Sequence, residues 1–113
     1  MSKIVQAQGL VYLCGQTAGG TDISDIAGQT REVLSRIDGL LTEAGSSRAH
    51  ILTATIYLRD ISDFNTMNAE WEGWMPSGAA PARTTVEAKL ASANLLVEIT
   101  VTALRASIMT SPA

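Results

Sequence analysis

Arg83 and Glu98 are the residues whose types and placement speak most directly of chemistry. Arg83 stands at the start of a strand-like run, Pro81-Ala82-Arg83-Thr84-Thr85-Val86-Glu87. Glu98 lies in a second such run, Leu95-Leu96-Val97-Glu98-Ile99-Thr100-Val101-Thr102, which follows within a dozen residues. A guanidinium can hold a carboxylate by two parallel hydrogen bonds, and a strand-borne carboxylate nearby can act as a base on water. Together they point to a small acid-binding site with a base.

The elements that must position these residues follow from periodicity. Leu10-Val11-Tyr12-Leu13-Cys14 suits a strand, closed by the turn signal Gly19-Gly20-Thr21-Asp22. Ile26, Val33, Leu34, Ile37, Leu40, Leu41 and Ala44 then recur at helical spacing, with Ser24 or Asp22 as candidate cap and Gly45 as candidate terminator. Ile51 to Leu58 alternates as a strand, with Leu52, Ala54, Ile56 and Leu58 on one face and Thr53, Thr55 and Tyr57 on the other. Asp60 or Ser62 caps a second helix, whose stripe is Phe64, Met67, Trp71, Trp74 and Met75 and which Pro76-Ser77-Gly78 closes.

Two further strands, at about 83–90 and 95–105, give the order strand, helix, strand, helix, strand, strand. This order describes an α+β, split βαβ layer with both helices on one sheet face. In the last strand Val97, Ile99, Val101 and Ala103 should face the helices, leaving Glu98, Thr100 and Thr102 on the other side, where Thr53, Thr55 and Thr85 add similar chemistry. A face so polar yet mostly uncharged is neither a dry core nor an openly solvated surface. Packing of copies against one another, with a small polar cavity between them, accounts for it.

Composition narrows the function classes. A chain of 113 residues, 46% hydrophobic and 17% charged, is expected to form one domain, 1–113. No apolar stretch reaches the roughly 20 residues that span a bilayer, and the N-terminus lacks the pattern of a signal peptide. A lone Cys14 forms no internal disulfide, so a cytoplasmic protein is expected. The net charge of −3 and the dispersion of eight Lys and Arg argue against nucleic acid as a main partner. One His and one Cys offer no ligand set for a metal, and no phosphate loop or dinucleotide fingerprint occurs.

Five segments together carry a resemblance. Cys14-Gly15-Gln16, Thr55-Ile56-Tyr57-Leu58-Arg59-Asp60, Asp63-Phe64-Asn65-Thr66-Met67-Asn68, Pro81-Ala82-Arg83-Thr84-Thr85-Val86 and Val97-Glu98-Ile99 resemble the successive signatures of the RidA (YjgF) family of reactive-intermediate deaminases. Each is weak alone, but their shared order and spacing, from about Val5 to Ala106, make chance a poor explanation.

The resemblance implies a chorismate-mutase-like α+β fold and a homotrimer with a central β-barrel and sites between subunits. It also implies hydrolysis of enamines and imines, of the 2-aminoacrylate and 2-iminobutanoate type, to 2-oxo acids and ammonia without a cofactor. By position, Arg83 matches the arginine that grips the substrate carboxylate, and Glu98 the glutamate associated with the attacking water. Thr85 matches a position, often cysteine, whose backbone N–H helps hold the carboxylate. Gly15 matches a pocket-lining glycine, Cys14 a position often serine, and Asn68 an asparagine near the site. Many members supply a pocket tyrosine from an N-terminal segment, which this chain, starting just before its first strand, is expected to lack; with Thr85 and the short loop Pro76 to Ala80, it looks closest to a short bacterial variety.

Plainer readings stand beside these. An isolated arginine is more often ion-paired at a surface, and a strand glutamate as often faces solvent. Cys14 fits a small packing residue, Asn68 a partner for backbone groups, and Trp71 and Trp74 the core or an interface. Three function classes therefore remain: a deaminase of small 2-imino acids or of a larger enamine such as 2-aminomuconate; a sensor that binds 2-oxo acids without turnover; and an interaction, chaperone-like or ribonuclease role.

Overall fold

Alternation and helical periodicity are realised in a computed structural model that describes residues 1–105. Residues 106–113, and with them Ala106 and the tail of the expected domain, lie outside the described residues. The elements are β1 (Ile4–Ala7), β2 (Leu10–Leu13), α1 (Ile26–Glu43), β3 (Ile51–Leu58), α2 (Phe64–Trp74), β4 (Ala82–Glu87) and β5 (Val97–Leu104). They form an α+β fold with one five-stranded sheet in the order β1-β2-β5-β3-β4. Among the described residues the β3–α2–β4 crossover makes the one parallel pairing, and the other neighbours run antiparallel.

β1 is a strand that the periodicity did not reveal. It joins β2 through Gln8 and Gly9, at φ 52° and 81°. Two consecutive positive φ values are the signature of a two-residue hairpin turn whose twist matches its strands. Four residues suffice for β1 because the turn sets their register, Ile4 against Leu13 through Ala7 against Leu10.

Asp25, not Ser24 or Asp22, caps α1, accepting a 2.8 Å hydrogen bond from the Gly28 N–H. The helix ends as expected at Gly45, whose φ of 77° lets Gly45 and Ser46 donate back to the carbonyls of Thr42 and Leu41. Asp60 caps a short 3-10 turn, Ile61–Asp63, that leads into α2.

Both helices cover the same face of the sheet. Val33, Ile37 and Leu41 of α1 and Met67 and Trp71 of α2 share one core with Ile56 and Leu58 of β3 and Val97, Ile99 and Val101 of β5. The alternation expected in β5 holds along its whole length. In β3 it does not, because the pairing with β5 shifts between Ile51 and Thr53. That irregularity buries Ile51 and leaves Leu52 exposed, against the expectation that Leu52 faces the core. Thr85 also changes sides: it pairs with the buried Ile56 and so lies on the helix face. Thr84, paired with Thr55, is the β4 threonine on the open face.

The two helices are clamped by polar groups as well. Arg48 grips both carboxylate oxygens of Asp38 and donates to the Trp74 carbonyl, while the Trp74 indole N–H donates to the same carboxylate at 2.9 Å. This joins α1, the segment before β3 and the end of α2 at one point, and so fixes the helix that carries Asn68. None of the described helices is long and apolar enough to cross a membrane.

Candidate functional site

The residues singled out in the sequence fall into two groups on opposite faces of the sheet. Arg83, Thr85 and Asn68 lie on the helix face. Cys14, Gly15 and Glu98 lie at the open face.

β4 is an edge strand, and its parallel register places Arg83 level with the buried Ala54. The Arg83 side chain therefore projects towards α2. Its guanidinium carbon lies 5.6 Å from the Phe64 ring centroid and 5.5 Å from that of Trp71, within reach of cation–π attraction. Among the described residues it has neither a hydrogen-bond acceptor nor an ion-pair partner. Arg31, Arg36, Arg48 and Arg59, by contrast, are all engaged by carboxylates or carbonyls. An arginine held by aromatic faces with its planar fork uncommitted is prepared for a carboxylate from outside.

Arg83 lines a cleft of about 410 Å³ with Asn68, Trp71, Glu72, Met75 and Pro81. Asn68 Oδ1 and Thr85 Oγ1 are closed to solvent, and no described group donates to either. Leaving such an atom unpaired costs about 1–3 kcal/mol, and one of the two residues, Asn68, lines the cleft with Arg83. The edge adds a backbone donor. Ala88 N–H bonds the Leu58 carbonyl at 2.9 Å, which puts the even-numbered residues of β4 in the ladder. By the alternation of a parallel ladder, the N–H groups of Arg83 and Thr85 then point away from the sheet.

The second group assembles around Glu98. Paired with Tyr57 and flanked by the buried Val97 and Ile99, it stands on the open face. Gln16 and Ile99 exchange two backbone hydrogen bonds, of 2.9 and 3.0 Å, which draw the chain leaving β2 across the start of β5. This brings Gly15 so close that a β-carbon there would collide with Glu98 Oε2 and lie 3.0 Å from Cδ. Glycine is needed here for space, and the carboxylate rests directly over the backbone. The Cys14 thiol accepts from Gln16 Nε2 at 3.3 Å, which ties it to the same turn.

One chain thus does not bring together the arginine and the glutamate that the sequence singled out as acid-binding group and base. Glu98 and Arg83 are on strands either side of β3 and about three residues out of level, which separates their α-carbons by roughly 14 Å. Sequence reasoning also passed over Phe64 and Trp71 as the platform for Arg83, having read Phe64 as part of the apolar stripe of the helix and Trp71 as core or interface. It passed over Glu72 altogether, although its i,i+4 spacing from Asn68 on a helix was the available signal. Among the described residues no cluster of His, Cys, Asp or Glu is arranged to hold a metal.

Comparison with known proteins agrees over nearly the whole chain. The family model described as Endoribonuclease L-PSP matches residues 1–105. A RutC family protein of Haemophilus influenzae is 40% identical over 103 residues, covering 91% of this chain and 89% of that protein. The RutC family protein YoaB of Escherichia coli is 42% identical over 80 residues, 71% of this chain and 70% of that protein. Among solved structures, a YjgF family member from Neisseria meningitidis matches with a TM-score of 0.89 at 44% identity, covering 93% of this chain and 87% of that one. A Rid family member from Yersinia pestis matches with a TM-score of 0.86 at 32% identity, over 92% and 86%.

Proposed function

Because the chain belongs to the RidA (YjgF) family, we propose that it hydrolyses small 2-imino acids and their enamine tautomers to 2-oxo acids and ammonia. The observation that carries this reading is the uncommitted Arg83 guanidinium, held by Phe64 and Trp71 in a cleft that Asn68 also lines. The site is completed by a second copy of the chain, whose Glu98 and Gly15 supply the base that Arg83 lacks on its own face. A cyclic trimer, with the threonine-rich open faces turned inward as a barrel, brings the two groups together three times over.

In this site Arg83 takes the substrate carboxylate through two parallel hydrogen bonds, assisted by the outward Thr85 N–H. The neighbouring subunit's carboxylate removes a proton from water as its oxygen bonds to the imine carbon, giving a carbinolamine. The same group returns that proton to nitrogen and, as the C–N bond breaks, takes the proton of the carbinol hydroxyl while the C=O bond forms, releasing ammonia and the 2-oxo acid. Imines already hydrolyse in water, so positioning and one base supply the useful acceleration, and no metal or organic cofactor is called for. The family model's description names a ribonuclease, but four arginines committed within the fold and a net charge of −3 do not favour a phosphate track.

The direct test couples the protein to a dehydratase acting on serine or threonine and follows the decay of imine absorbance. Faster decay with the wild-type protein supports the deaminase. Binding of a 2-oxo acid without acceleration of any imine would replace it with a sensor of the same ligands.

A further inference from the structure

We propose that Glu72 sets the side-chain charge the cleft accepts. A 2-imino acid whose side chain ends in an ammonium or guanidinium group is taken ahead of a neutral one, and one with a second carboxylate is turned away. This rests on the deaminase reading and extends it to longer substrates of one charge type.

The placement of Glu72 follows from the helix. Asn68, Trp71 and Glu72 of α2, with Met75 at its end, recur at spacings of three, four and seven, which is one face of a helix, and all four line the cleft of Arg83. Trp71 is buried whereas Glu72 is exposed, so the carboxylate stands at the surface of that wall. Its Oε1 accepts from Asn68 Nδ2 at 2.9 Å, and among the described residues it has no other side-chain partner. A carboxylate accepts on two oxygens, so most of its capacity is open to a ligand.

Arg83 and Glu72 are the two charged residues of the lining. Every 2-imino acid brings a carboxylate that matches the Arg83 guanidinium. The charge then left in the cleft is the negative charge of Glu72, which attracts a cation on the side chain and repels a second carboxylate. Beside these charges the wall is apolar, with Met75, Pro76 and Pro81. An aliphatic stem lies along such a surface while its charged tip reaches outward, and a volume of about 410 Å³ has room for it.

The ordinary alternative is a solvated helix carboxylate that supports Asn68 and nothing more. Such a residue would affect all substrates together, not the ratio between them. Imines made in situ by an amino-acid oxidase from arginine, citrulline and 2-aminoadipate share one methylene stem and end in a cation, a neutral group and an anion. A guanidinium, unlike a free amine, does not close onto the imine carbon. Trapping the remaining imine with semicarbazide gives relative kcat/KM values.

We expect the wild-type protein to favour the arginine imine over the citrulline imine about fivefold, the scale of an ion pair open to solvent, with the 2-aminoadipate imine slowest. Added salt should shrink the preference. Glu72→Gln keeps an acceptor for Asn68 without the charge, and its arginine-to-citrulline ratio should fall to about one. Glu72→Lys should put the 2-aminoadipate imine first. Turnover of small imines alone, turnover of the three without charge preference, or a preference that Glu72→Gln leaves intact overturns this inference and leaves the deaminase standing. No turnover of any imine, those from serine and threonine included, overturns the deaminase reading and the substrate class with it.

Discussion

Arg83 and Glu98 stand on opposite faces of the sheet: Arg83 is level with the buried Ala54 and turned to α2, and Glu98 is level with Tyr57 on the open side. The strands that carry them are both neighbours of β3. In the proposed deaminase a single chain therefore holds two half-sites, one with the carboxylate-binding arginine and one with the base, and the expected behaviour of variants follows from that division.

Mixing should restore what each variant loses. Arg83→Ala retains Glu98, and Glu98→Gln retains Arg83, so a mixed assembly contains sites built from the two intact halves. Unfolded together in equal amounts and refolded, the two inactive proteins should recover about one wild-type site in four, the chance that adjacent subunits of a cyclic assembly are of the needed types. Imine hydrolysis by the refolded mixture is the measurement. Mixtures as inactive as their parents would place both residues' action within one chain.

Arg83 should fail in binding. Removing a bidentate, charge-assisted contact costs about 1.5–3 kcal/mol, so 2-oxo acid affinity should drop roughly ten- to a hundredfold in Arg83→Ala. Arg83→Lys should recover little, since a point charge does not reproduce the fork or lie flat between Phe64 and Trp71. Thermal unfolding should change little in either variant, because the guanidinium has no described hydrogen-bond partner to lose. Calorimetric titration and melting curves on the same samples test both halves of the statement.

Gly15→Ala should fail in chemistry. The new β-carbon would strike the Glu98 carboxylate, which sits at the end of a flexible side chain and yields by moving off its place. A displacement of about 1 Å at a reacting group can cost on the order of a hundredfold in kcat. Product binding at Arg83 should be retained, and Glu98→Gln should show the same separation. Loss of product affinity in Gly15→Ala, with kcat preserved, would contradict the placement of Glu98 as the base.

Ile56→Ala tests the sheet that holds both groups. Ile56 is 0% exposed at the centre of β3, between the strands of Arg83 and Glu98. Its truncation should cost about 2–5 kcal/mol. Denaturant unfolding at matched protein concentrations reads the loss, the matching being needed because assembly contributes to apparent stability.

Acid should loosen the approach to α2. The Ser62 hydroxyl, and after it the Ser62 backbone N–H, hold the exposed Asp60 carboxyl below its ordinary value. Its contribution is present above the ordinary carboxylate range and is lost as pH falls through the lowered value. Asp60→Asn should flatten the acid limb of the stability profile relative to wild type, and coincident profiles would show that the cap adds nothing.

What local sequence determines here is periodicity and residue type. The stripe of α1 and the alternation of β5 were legible because each repeats a spacing that burial requires, and both are realised in the core. The five motifs with Arg83 and Glu98 among them sufficed for the family, since chemistry restricts residue types even where pattern is faint. β1 was missed because four residues carry little pattern, and the turn that creates it uses a glutamine at positive φ. Leu52 and Thr85 were placed on the wrong faces for related reasons: an irregularity in one strand and a parallel register in another reset which side a residue takes. Neither can be read from the strand itself, because register depends on the partner. The approach of Gly15 to Glu98, across more than eighty positions of sequence, exists only because Gln16 and Ile99 pair. Tertiary structure thus decided which side of the sheet each candidate site residue occupies, since a strand's two faces acquire an inside and an outside only when the helices settle on one of them.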